Sequence, residues 1–376
     1  MTGPVSEGLD GIAVGETEIS QIDGSTGSLA IRGYPIAEVA QEATYEETVF
    51  LLLYGRLPTA EELTGFRKRI ASNREISNKV KIVIEQAAQE EKSAMDALRM
   101  GVAGANLGHE RDNPEADAIR LIAVFPTIVA AYWRYRQGKD PIAPRQDLRH
   151  AANYLYMLTG EKASEARIEG VETYLNTVAD HGLNASTFTA RVVVSTQADL
   201  VSAGTAAVGA LKGPLHGGAP GPVLEMLRTV NETGNPADYV RSTLAGGDRL
   251  MGFGHRVYRT RDPRAAVLED AAHEFYTESD DADLFETARE FEEVAVELLA
   301  ERVPDRRLET NVEFYTAVLL AGVGVPKELF TTTFAISRVS GWMAHALEQL
   351  DDNRLIRPTA HYTGEIDRSW TAIAER

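Results

Sequence analysis

Apolar and polar residues alternate in one early stretch, TEISQIDGSTGSLAIRGY (residues 17–34), with glycines at 24 and 27 to turn the chain. That pattern predicts small β-hairpins within residues 9–34. Beyond it the apolar spacing is helical. AEVAQEATYEETVFLLLYG and TAEELTGFRKRIASN both read as helix, with Thr59 as the N-cap of the second. DAIRLIAVFPTIVAAYWRYRQG predicts a long helix kinked at Pro126. LRHAANYLYMLTG ends on Gly160, a C-cap residue. NASTFTARVVVSTQADLVSAGTAAVGALKG is rich in small residues and nearly free of charge, which predicts a buried helix pair, and PKELFTTTFAISRVSGWMAHALEQLDD predicts the last long helix.

The fold class that follows is all-α with a minor N-terminal β element, and no repeat of 20 to 50 residues interrupts it. From about residue 218 to 324 the helical patterns become shorter and more charged, flanked by Gly213–Gly221 and by Gly322 and Gly324. The shift predicts a smaller domain, 218–324, hinged on a larger one built from 1–217 and 325–376. A surface excursion of a single domain fits the same pattern.

Composition narrows the class. The chain has 376 residues, is 44% hydrophobic and 25% charged, and is long enough for a substantial core. It has no cysteine, which excludes disulfides, thiolate nucleophiles and Cys-ligated metals. Neither a signal peptide at the start nor an apolar run of bilayer length is expected, so the reading is a cytoplasmic enzyme. The net charge of −18 argues against nucleic acid or an anionic membrane as partner. Basic residues divide into 30 Arg and 8 Lys, a bias open to a salty habitat or a GC-rich genome.

Against that acidic background a few stretches call for chemistry. In LKGPLHGGAPGPVLEML, His216 sits among four glycines just before a helix, whose N-terminus would keep the imidazole neutral. In RLMGFGHRVYRTRDPR, His255 follows Gly252 and Gly254, and Arg256, Arg259, Arg261 and Arg264 face only Asp262, a basic island suited to carboxylate or phosphate. The Gly-x-Gly pair lacks the third glycine and the strand context of a dinucleotide loop. His181 follows Asp180 between two helical patterns, and a C-terminal structural histidine competes with a ligand-binding one. Arg338 lies in an apolar helix, where a structural salt bridge competes with an anionic substrate. Arg357 precedes Pro358 in an irregular tail and says nothing alone. Metal is not expected, since GHERDN lacks the second His of a His-Glu-x-x-His site, and a serine triad lacks its elbow. In ETNVEFYTA (residues 309–317), Thr310 and Glu313 have capping-box spacing before an apolar run.

Together these pieces resemble the citrate synthase family. IDGSTGSLAIRGY, ADHGLNASTFTAR, LKGPLHGGAP, LMGFGHRVYRTRDPRA, NVEFYTA, SRVSGWMAHALEQ and IRPTAHYTG occur in the family's order and spacing, over about residues 8–366. The resemblance implies the short dimeric form and condensation of acetyl-CoA with oxaloacetate, followed by hydrolysis to citrate and CoA in the tricarboxylic acid cycle. No cofactor would be tightly bound, acetyl-CoA and CoA being substrate and product. It implies that His216 hydrogen-bonds the thioester oxygen as the enol forms and that His255 polarises and protonates the ketone. His181, Arg264, Arg338 and Arg357 would hold the oxaloacetate carboxylates, Arg357 coming from the partner of a homodimer. Leu250, Met251, Gly252, Phe253, Gly254 and Arg259 would contact coenzyme A, with Arg306 or Arg307 on its phosphates. The small domain would carry that coenzyme A site and close on the oxaloacetate site of the large one.

One position departs from the family pattern. The usual motif is Asn-Val-Asp or Asn-Leu-Asp, its aspartate being the carbon base; this chain has Asn311-Val312-Glu313. Glutamate keeps the carboxylate and adds a methylene, and moving a base by about 1 Å costs on the order of 10²-fold in rate. The expectation is a working site adapted to the longer arm. A 2-methylcitrate synthase using propionyl-CoA shares these motifs, and a ligand-binding homologue that has lost proton abstraction is the reading of another class.

Overall fold

The structure, a computed structural model, describes residues 5–9, 11–106, 113–216, 220–277, 283–304 and 307–376. Gly217, Gly218, Arg306 and all of GHERDN but Asn113 lie outside the described residues. Three short strands, β1 (Ser20–Asp23), β2 (Ser28–Ile31) and β3 (Tyr34–Pro35), form an antiparallel meander. Its register pairs Ser20 with Ile31 and Ile31 with Tyr34. Helices follow: α1 (Ile36–Glu42), α2 (Tyr45–Tyr54), α3 (Ala60–Ser72), α4 (Asn78–Gln89), α5 (Ala94–Ala103), α6 (Pro114–Arg136), α7 (His150–Thr159) and α8 (Glu165–Val178). Then come α9 (Ala185–Ser195), α10 (Leu200–Leu211), α11 (Pro220–Thr233), α12 (Pro236–Ala245), α13 (Pro263–Thr277), α14 (Asp283–Arg302), α15 (Val312–Gly322) and α16 (Phe330–Asp351). The all-α class with a small N-terminal sheet is what the sequence predicts.

Local chemistry sets most boundaries. Thr59 caps α3 in a reciprocal box with Glu62, and Gly160 ends α7 in the left-handed conformation at φ 87°. The continuous apolar pattern of residues 37–55 breaks into α1 and α2 because Thr44 caps α2 and Glu47 reaches back to its amide. Pro126 lies inside α6. By length and composition α6 could cross a membrane, which corrects the expectation that no run is long enough; most of that apolar stretch is buried within the fold, as in a core helix.

α6 and α16 form the centre. α6 packs on α4, α5, α7 and α16, while α16 also packs on α2, α8, α9 and α10. Phe125 of α6 meets Trp342 of α16 edge-on at 6.3 Å, and Trp342 is wholly buried. Each such side chain contributes about 1.5–3 kcal/mol of burial. α9 and α10 pack tightly on each other, as predicted, but only on one face: Val192, Val193, Thr205 and Ala206 stay partly accessible. A second apolar cluster joins the sheet (Ile19, Leu29, Ile31) to α1, α2 and Ala344 of α16. The fold thereby ties the N-terminal strands, the α8–α9 turn and α16 around one cleft.

Candidate active site

The turn after α8 presents His181. Asp180 Oδ2 accepts the Gly182 N–H at 3.1 Å and the Ser20 hydroxyl at 2.6 Å, which fixes the turn against β1. Asn184 caps α9, its Oδ1 accepting the Thr187 N–H. His181 is buried with Nε2 3.0 Å from the Tyr258 hydroxyl. Burial, then the charges of Arg264 and Arg338, hold it well below the ordinary histidine range, so it is neutral.

His216 follows α10. Its Nε2 accepts the Ser186 N–H at 3.2 Å and lies 2.7 Å from the Ser186 hydroxyl, whose oxygen accepts the Trp342 indole N–H at 3.0 Å. An Nε2 that accepts an amide carries no proton, so the proton of the neutral ring sits on Nδ1. Burial, then Arg338, lowers the pKa to about 4. The imidazole is neutral, as the sequence leads one to expect, and desolvation is the first cause of it here.

The glycine loop before His255 is laced to the segment before α15. Phe253 bridges Thr310, Gly254 N–H donates to Glu309 O at 2.7 Å, and Asn311 N–H donates to Gly252 O at 2.9 Å. Gly252 and Gly254 have φ of 88° and 80°, and a Cβ on Gly252 would lie 2.9 Å from Phe314. His255 Nδ1 accepts the Val257 N–H at 3.0 Å and the Tyr258 N–H at 3.2 Å, so its proton sits on Nε2. Its ring lies 5.5 Å from that of His181, and burial followed by Arg264 lowers its pKa to about 4.

Thr310 does not cap α15, contrary to its capping-box spacing. It is drawn into the bridge with Phe253, its carbonyl accepts the Asp262 N–H, and its hydroxyl is buried without a partner among the described residues. Asn311 caps instead, its Oδ1 accepting the Glu313 N–H at 3.0 Å while its Nδ2 donates to Gly254 O at 2.9 Å. Glu313 is therefore in the second helical position, not the third of a box. Its carboxylate, partly accessible from the cleft, makes no hydrogen bond or ion pair among the described residues. Burial raises its pKa to about 7 against the pull of Arg264.

The basic island separates into different roles. Arg261 is absorbed by Glu269 and Glu292 at 2.7 and 2.8 Å, so it is not a free anion binder. Arg264 is buried and held by both oxygens of Asp262 at 3.1 and 2.8 Å; Asp262 also accepts the first N–H of α15, from Val312. Arg264 Nη1 makes no bond among the described residues. Arg256 and Arg259 are exposed. Arg338, fully buried in α16, donates Nε–H to Val178 O at 2.8 Å, lies over the Phe334 ring, and leaves Nη2 without a partner among the described residues. No carboxylate within ion-pair distance answers it among the described residues, which favours a substrate anion over a structural salt bridge.

Leu250 is buried and Met251 half-buried, and both line a cleft of about 360 Å³ with Arg249, Tyr239 and Met226; Phe253 is half-buried and is not part of that lining. Arg307 is exposed. Arg357 is not brought to this cleft: it is exposed in the tail and lines a separate groove with Ile12, Arg191 and Glu348. Sequence reasoning passed over Ser186, Tyr258 and Asn311 as partners of the histidines and of the helix that carries Glu313, although all lie inside the motifs it singled out.

The cleft gathers a carboxylate that titrates near neutrality, two neutral imidazoles with their donor nitrogens assigned, and two buried guanidiniums. That is the equipment of an enzyme that removes a proton beside a carbonyl and holds an anionic second substrate. A family profile described as "Citrate synthase, C-terminal domain" matches residues 8–359. A citrate synthase of Haloferax volcanii is 42% identical, with both chains covered in full, and citrate synthase 2 of Bacillus subtilis is 40% identical over 99% of each. A 2-methylcitrate synthase of Shewanella oneidensis is 36% identical over 98% of this chain and 97% of that one. Among solved structures, citrate synthase from Pyrobaculum aerophilum matches with TM-score 0.88 at 38% identity, covering 100% of this chain and 96% of that one. The ternary complex of the Thermoplasma acidophilum citrate synthase with carboxymethyl coenzyme A and oxaloacetate matches with TM-score 0.91 at 30% identity over the whole of both chains. The chain belongs to the citrate synthase family.

Proposed function

We propose that this chain is a citrate synthase that condenses acetyl-CoA with oxaloacetate, with Glu313 as the base. The observation that carries the reading is the Glu313 carboxylate, raised to about 7 and without a hydrogen-bond partner among the described residues, in the same cleft as an Arg338 guanidinium whose Nη2 none of those residues answers. Arg338 and Arg264, with His181, hold the oxaloacetate carboxylates. Glu313 takes a proton from the acetyl methyl group, breaking the C–H bond, while His216 donates Nδ1–H to the thioester oxygen and stabilises the enol. The methyl carbon attacks the ketone carbon, and the ketone oxygen takes the proton of His255 Nε2. Water then cleaves the citryl thioester, giving citrate and free CoA.

Coenzyme A is read onto Leu250, Met251, Gly252, Phe253, Gly254 and Arg259, with Arg307 toward its phosphates; Arg306 keeps its expected role only as a reading of the sequence. The working unit in this reading is a homodimer in which Arg357 enters the partner's cleft. The tail supports it, since Leu355, Tyr362, Ile366 and Trp370 are exposed on one copy. The segment 218–324 is read as the unit that closes over oxaloacetate and excludes water. Thiol release with acetyl-CoA and propionyl-CoA tests the function: a higher kcat/KM for acetyl-CoA supports it. A preference for propionyl-CoA makes the chain a 2-methylcitrate synthase, and oxaloacetate binding without turnover makes it a binding homologue.

A further inference from the structure

The N-terminal hairpin touches two of the loops that carry the site. At the base of β1, Ser20 holds the His181 turn by donating to Asp180 and accepting the Gly182 N–H. At the tip, Gly24 O accepts the Arg259 N–H at 2.8 Å. The tip is braced from within, because Asp23 Oδ1 accepts the Ser25 and Thr26 N–H groups at 2.8 and 3.2 Å. A Cβ on Gly24 would lie 2.2 Å from the carbonyl oxygen of Val257 and 2.8 Å from its carbon. Both are backbone atoms and cannot swing aside.

Val257 is also the residue whose N–H holds His255 Nδ1, and the next residue, Tyr258, holds both His255 and His181. Pushing Val257 outward therefore moves the ring that protonates the ketone. We propose that the hairpin tip is a positioning element for the 257–261 segment, and that Gly24 is its positioning residue. It acts on the reaction through Val257 and His255 and touches no substrate. The kinetic part of this inference rests on the citrate synthase reading.

Gly24 is not in the left-handed region, so alanine is tolerated by the turn itself and its whole cost falls on the docked contact. Relieving a contact of that kind needs a shift of roughly 1 Å, enough to lower a rate on the order of 10- to 100-fold. The test compares the full-length wild type, Gly24→Ala and Ser25→Ala by hydrogen exchange, melting temperature, turnover and oxaloacetate binding. Expected for Gly24→Ala are a melting temperature lowered by no more than about 4 °C, lost protection of the Arg259 amide, a kcat lower by about 10- to 100-fold, and an oxaloacetate Kd changed by less than about threefold. Ser25→Ala loses the hydroxyl's bond to Asp23 Oδ1 but keeps both amide bonds of the brace and adds no clash, so its Arg259 protection and kcat should stay within about twofold of wild type. Unchanged protection, unchanged kcat, or a collapse of the melting temperature would each overturn the proposal. If the wild type itself made no citrate, the functional reading would fail, and exchange at Arg259 would still decide whether Gly24 holds the segment.

Discussion

Ser186 and His216 are joined twice: the serine amide donates to Nε2 at 3.2 Å, and its hydroxyl lies 2.7 Å from the same nitrogen. The amide alone assigns the tautomer, because it can only donate. The hydroxyl adds orientation when its single proton points to Nε2 rather than to Asn184 Oδ1, the other acceptor at 2.8 Å, and its oxygen is fixed by the Trp342 indole N–H. Ser186→Ala keeps the amide, so the ring should keep its tautomer and lose part of its aim. The expected result is a kcat lower by about 10-fold with KM for oxaloacetate little changed, measured by steady-state thiol release.

Arg338 should show opposite effects on function and on stability. It is a buried cation with an idle Nη2 and no carboxylate in ion-pair distance among the described residues, an arrangement that costs folding free energy. Arg338→Met removes that cost along with the bond to Val178 O. Its melting temperature should equal or exceed that of wild type, while KM for oxaloacetate rises about 10- to 100-fold, matching a lost charge-assisted bond of ~1.5–3 kcal/mol. A large fall in melting temperature would make Arg338 a structural residue.

The acid limb of the pH–rate profile should belong to Glu313. Burial raises its pKa to about 7 in the free enzyme, and only the ionised form can accept a proton. kcat/KM should therefore rise about tenfold per pH unit below 7 and level off above it. His216 and His255, lowered to about 4, stay neutral over that range and leave no inflection. In Glu313→Asp the carboxylate retreats by a methylene in a site built around the longer arm, and kcat should fall on the order of 10²-fold.

A second buried carboxylate makes a prediction about stability rather than rate. Glu172 in α8 accepts the Tyr45 N–H and pairs with Arg149, yet burial and the nearby Glu46 raise its pKa to about 7. A folded pKa above the unfolded value of about 4.5 means that the folded state holds the proton more tightly. The group's stabilising contribution is present below about pH 4.5 and is lost as pH rises through 7. Glu172→Gln should therefore gain on wild type between pH 5 and 8, by on the order of 1–3 kcal/mol in urea unfolding.

Much of this was legible in the sequence, and the exceptions have physical causes. Gly160, Thr59 and the apolar spacing located helices because caps and periodicity act within a few residues. The break between α1 and α2 was missed because apolar spacing runs through it; the Thr44–Glu47 box was the signal. Thr310 was misread because its conformation is set by pairing with Phe253, which is 57 positions away. The histidines and Arg338 stood out as polar residues in glycine-rich or apolar surroundings. Their partners did not: Ser186 is one small hydroxyl among several in α9, and what distinguishes it is the approach of His216 from 30 residues on. Arg261 and Arg264 looked alike in the basic island, and only packing shows that Glu292 of α14 takes the first while Asp262 turns the second into the cleft.

The central claim is that Glu313 takes the proton from carbon, and Glu313→Gln tests it most directly. The amide keeps nearly the same shape and removes the basic oxygen, while Asn311 still caps the helix through the residue 313 N–H. Thiol release from acetyl-CoA with oxaloacetate should fall by about 10³-fold or more, with oxaloacetate still bound as in wild type by calorimetry. A Glu313→Gln enzyme that makes citrate at the wild-type rate would contradict the account.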